Sequence, residues 1–174
     1  FKLNEKDILS NQDWTFPTTT YYGPGRFNEI AKFCEEFDIK NPLIVTDSGS
    51  KDLPFIKKLI ALLSKNNIKS DLFYNISPNP RDDEISKGCD QFKNGSHDSI
   101  IAIGGGSAMD GGKSICLTVN SETPLWDFEF EQPVPKITKE NAFPKIITVP
   151  TTAGTGAETE ITAMVTHLEK GMKF

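Results

Sequence analysis

Short runs of consecutive apolar residues recur along this chain, and between them apolar residues return every three or four positions. The runs are "LIVTD" (43–47), "SDLFYN" (70–75), "SIIAIG" (99–104) and "KIITVP" (145–150). Strands this continuously apolar belong to a sheet covered on both faces. The intervening stretches have helical spacing. Residues 25–38 place Phe27, Ile30, Ala31, Cys34 and Phe37 on one face, and Leu53, Ile56, Ile60 and Leu63 mark a second helix. Ile85, Cys89 and Phe92 mark a third, and a fourth begins at about Ala108. Strand and helix alternating in this way predict an α/β fold: a Rossmann-like open, mostly parallel sheet with helices on both faces. The 174 residues fit a single domain, 1–174, whose core needs no disulfide or structural metal.

Two segments stand outside that alternation. Residues 120–144 form a long loop rich in Pro and aromatics, with Trp126, Phe128 and Phe130 as its expected anchors. The stretch "EITAMVTHLEKGMKF" (160–174) reads as a C-terminal β-hairpin. Ile161, Ala163 and Val165 alternate, Lys170-Gly171 turn the chain, and Met172 and Phe174 open the second strand. His167 is expected at the surface of that turn. The sequence stops within a strand, so the natural chain is expected to continue past Phe174. Its start at Phe1 rather than Met points to a processed or cut end.

Nineteen Lys and Arg against 24 Asp and Glu give a net charge of −5, spread along the sequence. No basic stripe suggests nucleic acid, no apolar run is long enough to span a bilayer, and no Lys/Arg-flanked leader is visible. Neither nucleic acid nor membrane is therefore an expected partner. Cys34, Cys89 and Cys116 are odd in number, lack a CxxC and sit among apolar residues. They read as reduced core thiols of a cytoplasmic protein.

Ligands of open α/β sheets collect at the carboxyl ends of the strands. Asp47 closes one run, Asn79 follows another, Gly104–Gly105–Gly106 follow a third and "TTAGTGAE" (151–158) follows the fourth. Glycines let main chain approach an anion closely, and the helix beyond adds free N–H groups and a positive dipole end. Ser107 is the expected N-cap and a donor to a phosphate oxygen. A tight turn without ligand is the plain alternative. Gly112-Lys113-Ser114 fits only the end of a P-loop: its first glycine would fall at Ser107, and Asp110 puts a carboxylate in the cradle. The common dinucleotide fingerprint fails too, because its last glycine would fall at Met109 and Asp47 precedes the turn instead of following it.

"GGGSAMDGGK" followed by "PTTAGTGAE", with "SPNP" (77–80) and "YYGPG" (21–25), resembles the iron-dependent (group III, metal-containing) alcohol dehydrogenase family from about Phe16 to Phe174. The resemblance implies an N-terminal α/β domain that binds NAD(P), and a C-terminal helical metal-binding domain absent from this chain. It implies that Gly105, Gly106 and Ser107 hold the pyrophosphate. Asp47 would face the adenosine ribose, favouring NAD over NADP, and Asn79 and Lys173 would lie beside the cofactor. Asp110 and Lys113 would line the nicotinamide end or pair with each other. Thr151, Thr152 and Thr155 would reach the pyrophosphate and the nicotinamide ribose. Plainer roles stay open: a cap for Asp47, a turn residue for Asn79, a solvated lysine for Lys173.

Two departures bear on those contacts. Thr159-Glu160 stands where the family has Val-Thr, which puts a threonine contact in doubt, and His167 replaces an Asp. The implied activity is hydride transfer between an alcohol/aldehyde pair and the nicotinamide. Its Fe2+ or Zn2+ would be held by one Asp and three His beyond this chain. His97 and His167 lack metal-site spacing, so no catalytic or metal residue is expected within 1–174 and the segment alone is expected to be inactive. Implied partners are a small alcohol or aldehyde, the helical domain and a second copy in a homodimer. A glycerol-dehydrogenase- or dehydroquinate-synthase-like enzyme, a hydroxyacid–oxoacid transhydrogenase and a free-standing nucleotide-binding module are the alternatives.

Overall fold

The computed structural model describes residues 12–14, 18–133, 135–136 and 143–173. Strands β1 (Gln12–Trp14) and β2 (Thr20–Tyr22) pair antiparallel ahead of the main sheet. Each apolar run is then a strand: β3 (Pro42–Asp47), β4 (Asp71–Ile76), β5 (Ser99–Gly104) and β6 (Lys145–Pro150). They form one parallel sheet in the order β4-β3-β5-β6. β3 comes first in sequence yet lies inside, so successive crossovers run in opposite directions from it. The crossover direction reverses between β3 and β5, and in such sheets ligands bind at the carboxyl edge of that junction.

Alternation along the strands sorts the core into two layers. Ile44, Ile101 and Ile103 face α1 (Ile30–Glu36) and α2 (Pro54–Lys65). Leu43, Val45, Ile100 and Ala102 face α3 (Asp82–Asn94) and α4 (Gly106–Thr118). Each fully buried Leu or Ile contributes about 1.5–3 kcal/mol by leaving water. Gly112 fits α4 closely to the sheet: a Cβ there would lie 2.5 Å from that of Ala102.

The expected helix faces shift in detail. In α2 the buried stripe is Ile56, Leu59 and Leu63. Ile60 sits at its rim, 37% exposed, and Leu53 caps the helix from outside. Residues 25–38 split into a 3-10 turn, Arg26–Glu29, and α1. Phe33 is buried there, while Phe37 lies past the helix end and is 38% exposed. The fourth helix starts at Gly106, two residues before Ala108.

The two outlying segments hold each other. A 3-10 turn, Leu125–Phe128, presents Trp126 to the core and to the His167 ring, stacked at 4.5 Å. His167 is thus mostly covered and not a surface turn residue. Phe130 is 92% exposed and anchors nothing. The hairpin is shorter than expected, pairing β7 (Thr166–His167) with β8 (Met172–Lys173). Ile161 lies outside it and is fully solvated, whereas Val165 is buried. Phe174, expected in the second strand, lies outside the described residues, as do Phe1 and Phe16.

The three cysteines are unpaired, and burial pushes Cys34 up to about 11 and Cys116 to about 12. Thiols so far from ionisation are inert packing. Among the described residues no helix is long and apolar enough to cross a membrane.

Candidate functional site

A parallel sheet gathers all its carboxyl ends on one edge, so the four predicted features meet there. Gly104 has φ +147, a conformation L side chains rarely adopt, and a Cβ on it would lie 2.7 Å from that of Ala108. The chain then reverses into α4 with Gly105 as N-cap. The N–H groups of Gly106, Ser107 and Ala108 open the helix and have no intrahelical acceptor. They converge where the helix dipole is positive.

The second loop closes over this turn. Thr151 N–H donates to the Gly104 carbonyl at 2.8 Å, extending the β5–β6 pairing by one bond. Thr148 Oγ1, inside β6, donates to the Glu158 carbonyl at 2.9 Å and ties the loop to its base. A Cβ on Gly105 would be 3.5 Å from Thr152 Oγ1, and one on Gly106 would be 3.1 Å from Thr155 Cγ2. A Cβ would fit at Gly105 in ordinary contact, whereas at Gly106 it would crowd Thr155 by a few tenths of an ångström. Thr151, Thr152 and Thr155 remain exposed around the open amides.

Ser107 departs from its expected role. It is the second residue of α4, not the cap, and its hydroxyl donates to the Pro78 carbonyl at 2.6 Å. A helical residue points its side chain back past the helix start, here onto the "SPNP" loop. Its hydroxyl proton is therefore spoken for, and its main-chain N–H is the free donor.

Asp47 adjoins the same turn, its Oδ2 lying 3.2 Å from where a Gly104 Cβ would be. Its carboxylate accepts from Gly49 N–H at 3.0 Å, Ser50 N–H at 2.9 Å and the Ser50 hydroxyl at 2.7 Å. The plainer role read from sequence, a cap for the turn, is thus realised, and it fixes the carboxylate at the end of β3. Asn79 Oδ1 accepts from Lys173 Nζ at 3.2 Å, joining two residues 94 positions apart. Asp110 and Lys113 pair at 3.6 Å. Burial raises the Asp110 carboxyl above its ordinary value, against the pull of Lys113 and of a main-chain hydrogen bond from Met164. Glu160 enters through its main chain: its carbonyl accepts from Lys113 Nζ at 3.3 Å, while its side chain stays exposed.

His97 and His167 are well separated. The His97 ring is buried at the opposite end of the sheet, 2.9 Å from the Asn41 carbonyl, and His167 lies 3.5 Å from Asp82. Among the described residues, no three His, Cys, Asp or Glu side chains cluster as metal ligands.

Three contributors escaped the sequence reading: Thr46, Thr148 and the Pro78 carbonyl. Thr46 Oγ1 donates to the Ile103 carbonyl at 2.7 Å and latches β3 to β5 beside the turn. A hydroxyl inside an otherwise apolar strand was the available signal, since a buried donor must find an acceptor.

The iron-containing alcohol dehydrogenase family model matches residues 17–174. The chain belongs to that family. Among curated members, 1,3-propanediol dehydrogenase of Klebsiella pneumoniae is 29% identical over 93% of this chain and 41% of its own length. A crystal structure of 1,3-propanediol oxidoreductase superposes with a TM-score of 0.80 at 30% identity, over 87% of this chain and 38% of that one. Sulfoacetaldehyde reductase of Bifidobacterium kashiwanohense, solved with NAD+, superposes with a TM-score of 0.76 at 28% identity, covering 87% and 39%. This family member thus spans about two fifths of the length of the relatives it matches.

Proposed function

We propose that residues 1–174 are a single domain that binds NAD for a metal-dependent alcohol dehydrogenase, which moves a hydride between a small alcohol and its aldehyde. The observation that carries this reading is a helix start without a side-chain cap, at Gly105 and Gly106, set beside Thr152 and Thr155. A diphosphate fits there because its oxygens need many donors and no intervening Cβ. The family relative bound to NAD+ supports the same choice.

In this assignment Gly105, Gly106 and Ser107 hold the pyrophosphate through main-chain N–H groups. The hydroxyls of Thr151, Thr152 and Thr155 surround it. Asp47 accepts from the adenosine ribose, and its negative charge opposes a 2′-phosphate, which favours NAD over NADP. Asn79 and Lys173 lie beside the cofactor, and Asp110 borders its nicotinamide end. The cofactor, when bound, supplies the hydride acceptor. The protein's own part here is to fix its position and remove rotational freedom before reaction. Iron or zinc, with a helical domain and the substrate pocket, belongs to the whole enzyme, so this chain should bind cofactor without turnover. The unpaired thiols fit a cytoplasmic location.

Calorimetric titration of the 174-residue chain with NADH and NADPH tests the assignment. NADH should bind, and NADPH should bind at least ~10-fold more weakly through charge repulsion at Asp47. Asp47→Gly should narrow that gap. Absence of heat with both cofactors would remove the assignment.

A further inference from the structure

Residues 160–165, between the threonine loop and β7, belong to no strand. Most of this segment is exposed, and two side chains of α4, one turn apart, bond its main chain with opposite polarity. Lys113 Nζ donates to the carbonyls of Glu160, at 3.3 Å, and Thr162. Asp110 accepts from the Met164 main chain. The two side chains are mostly covered, 15% and 14% exposed, and they pair with each other at 3.6 Å. A covered ammonium needs a counter-charge to remain favourable, and bonds from an ionised donor are stronger than neutral ones.

We infer that the Asp110–Lys113 pair is a positioning device: it clips segment 160–164 to α4 so that Thr152 and Thr155 stay against Gly105 and Gly106. The pair stands in for a strand partner with one acceptor and one ammonium that donates twice. The sheet holds the loop through the Thr151–Gly104 and Thr148–Glu158 bonds, and the clip secures the stretch just beyond the second. Opening the clip leaves the Thr148–Glu158 hydrogen bond as the remaining side-chain tie of that end to the sheet. Its effect on cofactor affinity rests on the proposed cofactor cradle, but its effect on the loop does not.

The test uses Lys113→Met in the cofactor-free 174-residue chain, read by amide hydrogen exchange. Protection of residues 156–165 should fall at least ~10-fold, while β3 and β5 keep theirs. Lys113→Arg, which restores a charged donor, should recover part of that protection. NADH affinity should fall by ~10-fold or more in Lys113→Met. Asp110→Asn, which keeps shape and removes charge, should give an intermediate loss and serves if the methionine variant fails to fold. Unchanged exchange at 156–165 in a folded variant would overturn the clip. Faster exchange with unchanged NADH affinity would overturn its positioning role. Failure of the unsubstituted chain to bind NADH would count against the cofactor reading alone.

Discussion

The two ends of the central strands are built on opposite plans. At the amino end, polar groups satisfy one another. Asp98 Oδ2 accepts from the N–H groups of Lys40 and Asn41, at 2.8 and 3.0 Å, and Asp98 Oδ1 accepts from the Ser99 hydroxyl at 2.6 Å. Asn41 Nδ2 donates to the carbonyls of Gly95 and Ser96, both at 3.0 Å. At the carboxyl end the helix starts without a side-chain cap, Thr151, Thr152 and Thr155 are exposed, and side chains are trimmed to glycine. The first arrangement spends its polar groups on stability. The second keeps donors available to something outside the chain.

Substitutions at the two ends should therefore separate stability from binding. The largest effect is expected from Gly106→Val. Its branched side chain has no room beside Thr155, so NADH affinity should drop ~100-fold in calorimetry, with a smaller change in melting temperature. At the other end, Asp98→Ala removes a charged acceptor from two main-chain donors and should cost about 1.5–3 kcal/mol in denaturant unfolding, with NADH affinity intact. Equal effects of both variants on binding would erase the contrast.

The smallest effect concerns acid. Arg81 and Lys87 hold the Asp83 carboxyl down at about 2. A depressed carboxyl contributes stability that is complete above its unfolded value of ~3.9 and is lost as pH falls through the folded value. Asp83→Asn should lower stability a little at pH 7, where the contribution is complete, and meet the parent curve below about pH 2, flattening it between about pH 4 and 2. The Asp83 side chain is exposed enough that the change should be slight.

How much the sequence disclosed follows from which forces act locally. β3 and β5 were legible because a doubly covered strand demands an unbroken apolar run, whereas the edge strand β4 leaves Asp71, Tyr74 and Asn75 exposed. The meeting of glycine turn and threonine loop was legible because parallel strands share one carboxyl edge. Which rim residue of α2 is buried was not, since Ile60 and Leu59 both fit a helical stripe and the sheet decides the rotation. Ser107 was misread as a cap because helix starts favour serine, but Gly105 took that place and the Pro78 carbonyl claimed the hydroxyl. The Trp126–His167 stack and the Lys113 bonds join residues 41 and 47–49 positions apart. No periodic pattern encodes such distances.

The close fit of Gly112 against Ala102 has a mechanical outcome some way from where it occurs. A helix is stiff along its length, so the depth at which its middle rests fixes the height of its tip. One added methyl at Gly112 would lever the amides of Gly106 and Ser107 out of line with the loop above them. The accuracy of the anion shelf is thus gauged two turns down the helix, at a spot no ligand visits.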